Sequence, residues 1–143
     1  MIPKRVIIHH SLTKDSETVS WGAIRRYHIE TNGWRTIGYH YGAELIGDYY
    51  EVLAGRPEDI AGAHCAGHNH DSLGICFVGN FDLAPPPEAM MIRATQVFYP
   101  ILRRLHIAPD KIFGHCDFSS KTCPGKEFPL DRLREAMRTG RWR

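Results

Sequence analysis

Two short runs of consecutive apolar residues constrain the fold of this chain most strongly. Residues 6–8 read Val-Ile-Ile, and residues 73–78 read Leu-Gly-Ile-Cys-Phe-Val. Short apolar runs without polar alternation are typical of strands that are buried within a sheet. We therefore predict a buried strand at residues 5–9 and a central strand at residues 73–78.

The segments between these runs alternate between helical and extended patterns. Apolar residues recur at helical spacing in three places, and two further apolar segments flank a Gly-containing turn at Ile46-Gly47. Pro100 lies inside the longest helical pattern and should kink it. We predict an α/β fold with a single domain, in which a central mixed β-sheet of about five strands is flanked by about three helices. The remaining predicted elements are helices from Ser20 to Asn32-Gly33, over 90–105 and over 129–137, strands at 39–45, 48–53 and 111–114, and an irregular loop at 54–71.

Size and charge exclude several classes of protein. The chain has 143 residues, of which 43% are hydrophobic and 24% charged, so residues 1–143 can form one globular domain rather than a disordered chain. The net charge is +2, which indicates no nucleic acid partner. No apolar run approaches the roughly 18 residues that a spanning helix needs, so we expect no membrane insertion.

The N-terminal residues lack the pattern of a secretory signal. The apolar run at residues 6–8 is too short for a signal core and is followed by His9 and His10. We therefore expect synthesis in the cytoplasm without a signal peptide. In that reducing compartment, four cysteines favour metal binding or catalysis over a disulfide framework.

Nine histidines and four cysteines could supply a zinc site. A catalytic zinc site usually has three protein ligands and one open position. Adjacent strand residues point to opposite faces, so only one of each neighbouring pair should bind the same ion. Spacing alone leaves two sets open. The first set takes one residue from the pair His9/His10, one from the pair His115/Cys116, and Cys123. The second set is the local cluster Cys65, His68 and His70.

Four motifs in order resemble one family. They read VIIHHS at 6–11, IGYHY at 37–41, AHxxxxNxxSLGI at 63–75 and GHxxxxxKTCP at 114–124. Together they are similar to the zinc-dependent N-acetylmuramoyl-L-alanine amidases, the family of phage lysozymes and peptidoglycan recognition proteins. The resemblance covers residues 5–137, and what it implies follows as expectation.

The resemblance implies a role for seven residues. One Zn²⁺ per chain would be bound by two strand-end histidines and a loop cysteine, which favours that set over the local cluster. A tyrosine and a lysine would be catalytic, and two polar residues of the 61–71 loop would hydrogen-bond the stem peptide or the sugar. These residues are His9, His115 and Cys123 for the metal, Tyr39 and Lys121 for catalysis, and His64 and Asn69 for substrate. Residues 11–20 would form another wall of the groove.

The implied reaction is hydrolysis of the amide between N-acetylmuramic acid and L-alanine of peptidoglycan. The resemblance suggests a phage or prophage endolysin, which acts on the cell wall after release and needs a separate membrane-permeabilising protein. A monomer is the default expectation for a chain of this size. One alternative is a cytosolic muropeptide-recycling amidase, although that group typically has Asp and Glu in place of Cys123 and Tyr39. The other is a non-catalytic peptidoglycan-binding module, which typically lacks the cysteine ligand. A cysteine-protease reading with Cys123 as nucleophile is weaker than these.

Overall fold

The computed structural model describes residues 1–13 and 20–143. Within these two ranges, five strands form one mixed sheet in the order β3-β2-β4-β1-β5. β1 pairs in parallel with β4 and β5, β2 pairs in parallel with β4, and β2 and β3 form an antiparallel hairpin. The strands are β1 (Arg5–His10), β2 (Tyr41–Ile46), β3 (Tyr49–Ala54), β4 (Ser72–Phe77) and β5 (Ile112–Gly114). The predicted α/β sheet is confirmed, with β4 at its centre.

Among the described residues, three α-helices flank the sheet, namely α1 (Trp21–Glu30), α2 (Glu88–Arg104) and α3 (Leu130–Thr139). α1 begins after Ser20, whose hydroxyl accepts a hydrogen bond from the N–H of Ala23 and caps the helix. α3 ends at Gly140, which adopts a left-handed conformation. α2 continues past Pro100, and the kink expected there stays a prediction.

Side chains of the central strands alternate between two hydrophobic clusters. Leu73, Ile75 and Phe77 belong to the larger cluster, which also contains residues of α2 and α3. Cys76 belongs to the smaller cluster with Trp21 of α1. His9 lies opposite Cys76 in the parallel β1–β4 pair, and it therefore points to the α1 side of the sheet.

Most predicted boundaries shift by one or two residues in the structure, including those around the hairpin. The hairpin turn lies at Gly47-Asp48 rather than Ile46-Gly47, with Gly47 at a φ of 64°. The second strand begins at Tyr41, two residues later than predicted. Within the described residues, no helix combines the length and apolar character needed to cross a membrane.

Candidate active site

The carboxyl ends of two parallel strands bring two distant histidines together. His9 is near the end of β1, and His115 opens the short 3₁₀ turn His115–Asp117 that directly follows β5. Because β1 and β5 are parallel neighbours, these ends meet at one edge of the sheet. The centroids of the two imidazole rings are 4.5 Å apart. His115 therefore lies just beyond its strand, one residue later than a strand-end position.

Cys123 reaches this edge from the loop that follows the turn. The N–H of Cys116 donates to the carbonyl oxygen of Cys123 at 2.7 Å, which ties the loop to the turn. The backbone N–H of His10 donates to the Cys123 sulfur at 3.3 Å. The His10 ring points the other way, toward Phe81, and its Nδ1 accepts from the Phe81 N–H. The expected alternation is confirmed, since His9 faces the site and His10 does not.

Three potential ligand atoms converge at this point. One atom each from His9, His115 and Cys123 lies within 4.8 Å of the others, and His9 Nδ1 is 3.8 Å from Cys123 Sγ. In the part of the chain that the structure describes, this is the one such group of three. Two imidazoles and one thiol are ligands that zinc accepts, and three of them leave a fourth position open. The residues present fit a catalytic zinc site.

The rival cluster forms no such site. Cys65 is buried, and the His68 ring packs on Phe118 with centroids 4.1 Å apart.

Burial sets the protonation of the three potential ligands. It lowers the pKa of His9, and burial followed by the charge of Lys121 lowers that of His115, so both imidazoles are neutral near pH 7. Burial raises the pKa of Cys123 to about 11, opposed by the hydrogen bond from the His10 amide. Without a cation, the Cys123 thiol keeps its proton, and a bound metal would have to displace it.

These residues line a cleft of about 510 Å³. Tyr39 and Lys121 also line it, so the structure brings the predicted metal and catalytic residues to one place. A second cavity of about 460 Å³ shares Tyr39 and extends along α1 past Ile24 and Tyr27. Ser11 lines both cavities, but residues 14–19 of the predicted wall lie outside the described residues.

Tyr39 stands beside the three potential ligands. The centroids of the Tyr39 and His9 rings are 5.2 Å apart. Burial, and then the nearby Cys76 thiol with which the hydroxyl hydrogen-bonds, raises the pKa of Tyr39 well above its usual value. The phenol therefore stays protonated near pH 7.

His64 and Asn69 make contacts other than those predicted. His64 Nδ1 is 2.9 Å from His9 Nε2, and its Nε2 is 3.3 Å from the Ser72 hydroxyl, so both ring nitrogens are engaged inside the protein. The side-chain oxygen of Asn69 accepts from the N–H groups of His64 and Cys65 and closes the loop. Neither residue lines the cleft. A contact of either with substrate stays a prediction.

Asp82 is a cleft residue that sequence reasoning missed. Its carboxylate accepts from the Thr122 hydroxyl at 2.8 Å and from the Lys126 N–H at 3.0 Å, and so holds the loop that carries Cys123. These hydrogen bonds hold the pKa of Asp82 below its usual value. Its position in the segment that follows the carboxyl end of the buried strand β4 was a usable signal, because ligands bind at the carboxyl ends of strands in such sheets.

Comparison with known families matches residues 1–126 to the family described as N-acetylmuramoyl-L-alanine amidase. The chain belongs to this amidase family. An endolysin of Klebsiella phage KP32 is 34% identical over 131 residues, which cover 90% of this chain and 83% of the endolysin.

Two solved structures share the fold of this chain. The N-acetylmuramoyl-L-alanine amidase LysC from Clostridium intestinale superposes with a TM-score of 0.83 at 25% identity, covering 96% of this chain and 86% of that one. A variant of Drosophila PGRP-LB in complex with tracheal cytotoxin superposes with a TM-score of 0.77 at 25% identity, covering 92% of this chain and 80% of that one. The chain is therefore similar in fold both to a protein named as an amidase and to one named as a peptidoglycan recognition protein.

Proposed function

We propose that this amidase-family chain is a zinc-dependent N-acetylmuramoyl-L-alanine amidase that cleaves the bond between N-acetylmuramic acid and the L-alanine of peptidoglycan. The observation that carries the proposal is the convergence of His9, His115 and Cys123 within 4.8 Å at the floor of an open cleft. Family membership and the similarity to an endolysin support the same reaction. The intact cysteine counts against a binding-only member.

The three side chains would hold the metal as two neutral imidazoles and a thiolate. When bound in such a set, zinc supplies a water molecule whose pKa is lowered to about 7 and polarises a carbonyl oxygen. The N–H of His10 is already directed at the Cys123 sulfur and would stabilise its thiolate form.

Lys121 and Tyr39 would act on the substrate from the walls of the cleft. An ammonium group near the scissile carbonyl favours the transition state, in which negative charge develops on the oxygen. The protonated Tyr39 hydroxyl can donate a hydrogen bond to that oxygen or orient the attacking water. Both roles need only side-chain groups that already border the cleft.

The test combines metal analysis with product analysis. We expect purified protein to contain one zinc per chain, and Cys123→Ala or His115→Ala to lose both zinc and lysis. Lys121→Ala and Tyr39→Phe should keep zinc and lose about 10²–10³ in rate, which is typical for the loss of one stabilising group. Lys126→Ala, in the same loop but outside the cleft, is the matched control. Wild-type cleavage of purified peptidoglycan by Lys121→Ala would refute the role of Lys121.

The products identify the bond. Mass spectrometry of digested peptidoglycan should show free stem peptides that begin with L-alanine, whereas new reducing sugar ends would mean a glycosidase. Comparing intact sacculi with soluble anhydro-muropeptides separates the wall-degrading enzyme from a recycling amidase. We propose the first, as a monomeric endolysin made in the cytoplasm that reaches the wall with the help of a membrane-permeabilising protein.

A further inference from the structure

A chain of hydrogen bonds runs behind the candidate metal site, away from the cleft. His9 Nε2 lies 2.9 Å from His64 Nδ1, and His64 Nε2 lies 3.3 Å from Ser72 Oγ. Ser72 Oγ in turn lies 2.5 Å from the carbonyl oxygen of His68. The chain thus connects a potential metal ligand to a backbone carbonyl group.

The carbonyl end determines the direction of every hydrogen bond in this chain. A carbonyl oxygen can only accept, so the single hydroxyl proton of Ser72 must be donated to it. The Ser72 oxygen then accepts from an N–H on His64 Nε2. A neutral imidazole has one N–H, so His64 Nδ1 is an acceptor, and the proton of His9 must be on Nε2.

The surroundings of His64 hold its ring in the orientation that this chain needs. A Cβ added to Gly74 would lie 2.5 to 2.8 Å from the ring, and one added to Gly62 would lie 2.6 Å from its Cδ2. The His64 ring therefore lies directly against the backbone at these two glycines, and a side chain at either position would collide with the ring. The backbone N–H of His64 donates a hydrogen bond to the side-chain oxygen of Asn69 at 2.8 Å, which fixes the backbone at this position.

We propose that His64 is a positioning residue that, with Ser72, keeps the proton of His9 on Nε2 and leaves His9 Nδ1 free to bind the metal. The inference rests on the proposed zinc site. His9 Nδ1 is the ring atom that faces Cys123, at 3.8 Å from the sulfur. Without the acceptor on His64, the His9 proton could move to Nδ1 and the ring could rotate, and both changes oppose metal binding.

The first experiment measures the tautomer directly. ¹⁵N NMR of the metal-free, histidine-labelled protein near pH 7.5 distinguishes a protonated nitrogen from an unprotonated one in each ring. We expect His9 to carry its proton on Nε2 in the wild-type protein, and the Nδ1-protonated form to gain population in His64→Leu, which removes the acceptor. A His9 ring protonated on Nδ1 in the wild-type protein would overturn the proposal.

The second experiment measures zinc affinity by competition with a chromogenic chelator. Loss of a partner behind a metal-bound histidine typically weakens metal binding by about 10–100-fold, and we expect that loss for His64→Leu. His64→Asn should retain most of the affinity, because the amide oxygen of asparagine can accept the hydrogen bond from His9 Nε2 near the position that His64 Nδ1 occupies. His70→Ala, an exposed histidine of the same loop, is the matched control and should bind zinc like the wild type.

The outcomes separate this inference from the proposed function. Wild-type zinc affinity in a folded His64→Leu protein, checked by circular dichroism, would refute the role of His64. If His64→Leu does not fold, His64→Ala takes its place in both experiments, and wild-type zinc affinity in that folded protein would refute the role of His64. A protein that binds zinc and shows these effects but releases no stem peptide would refute the amidase reaction alone.

Discussion

Gly125→Ala tests whether the loop that carries Cys123 is positioned by close contact with the segment after β4. Gly125 has a φ of 114°, and an added Cβ would lie 2.5 Å from the carbonyl oxygen of Phe81 and 2.8 Å from the backbone nitrogen of Asp82. Backbone atoms cannot rotate away as a side chain can. The loop would therefore have to move away from Phe81.

The expected cost has two parts. A non-glycine residue in this sparsely populated region costs about 1–3 kcal/mol, and overpacking against fixed atoms costs about 1–3 kcal/mol more. Movement of the loop would also strain the hydrogen bond from the Glu127 N–H to the Phe81 carbonyl oxygen, now 2.8 Å. We expect a loss of about 2–6 kcal/mol in the free energy of unfolding. At about 4 °C per kcal/mol for a domain of this size, Tm should fall by roughly 8–24 °C.

The assay is urea and thermal unfolding, followed by zinc titration of the folded fraction. Gly33→Ala is the matched control, because Gly33 also has a positive φ, 73°, but an added Cβ would meet no atom within 4 Å. The control should lose only about 1–2 kcal/mol, the cost of the left-handed conformation. Equal destabilisation by the two substitutions would refute the reasoning, because steric contact would then contribute nothing.

Two further predictions concern the core and the pH dependence of stability. Phe98→Ala, at a buried position of α2, should lower the free energy of unfolding by about 3–5 kcal/mol. Ile92 is 47% exposed on the same helix, and Ile92→Ala should change this free energy by less than about 0.5 kcal/mol. Similar urea midpoints for the two variants would contradict this prediction. Burial lowers the pKa of His40 below 6.5 in the folded protein, so its contribution to stability is present above pH 6.5 and is lost as the pH falls toward the folded-state pKa. Between pH 7.5 and pH 5.0, the free energy of unfolding in urea should therefore fall less for His40→Gln than for the wild type. An equal fall in the two proteins would contradict this prediction.

Much of the fold could be predicted from local patterns. The run at 73–78 and the helical spacing after Ser20 are properties of neighbouring residues, and both elements form where they were expected. The errors lie at boundaries. The hairpin turn moved by one residue because Gly47 supplies the positive φ, and β2 begins only where pairing with β3 starts.

The candidate site was predicted in part. The family resemblance picked out His9, His115 and Cys123, and the structure brings them together. It did not indicate that His64 contacts His9. The expected contact of His64 with substrate stays a prediction. The loop at 54–71 has no periodic pattern, so no local signal shows which way its side chains point.

The sequence by itself determined the order of strands and helices, the alternation that separates His9 from His10, and the residue types able to bind zinc. These follow from the periodicity and chemistry of neighbouring residues. Only the tertiary structure decided which polar groups meet across 55 and 114 residues of chain, as His9 does with His64 and Cys123. Such contacts depend on the register of parallel strands and on close packing against particular glycines. Both are set by the folded core as a whole, which no short segment of the sequence specifies.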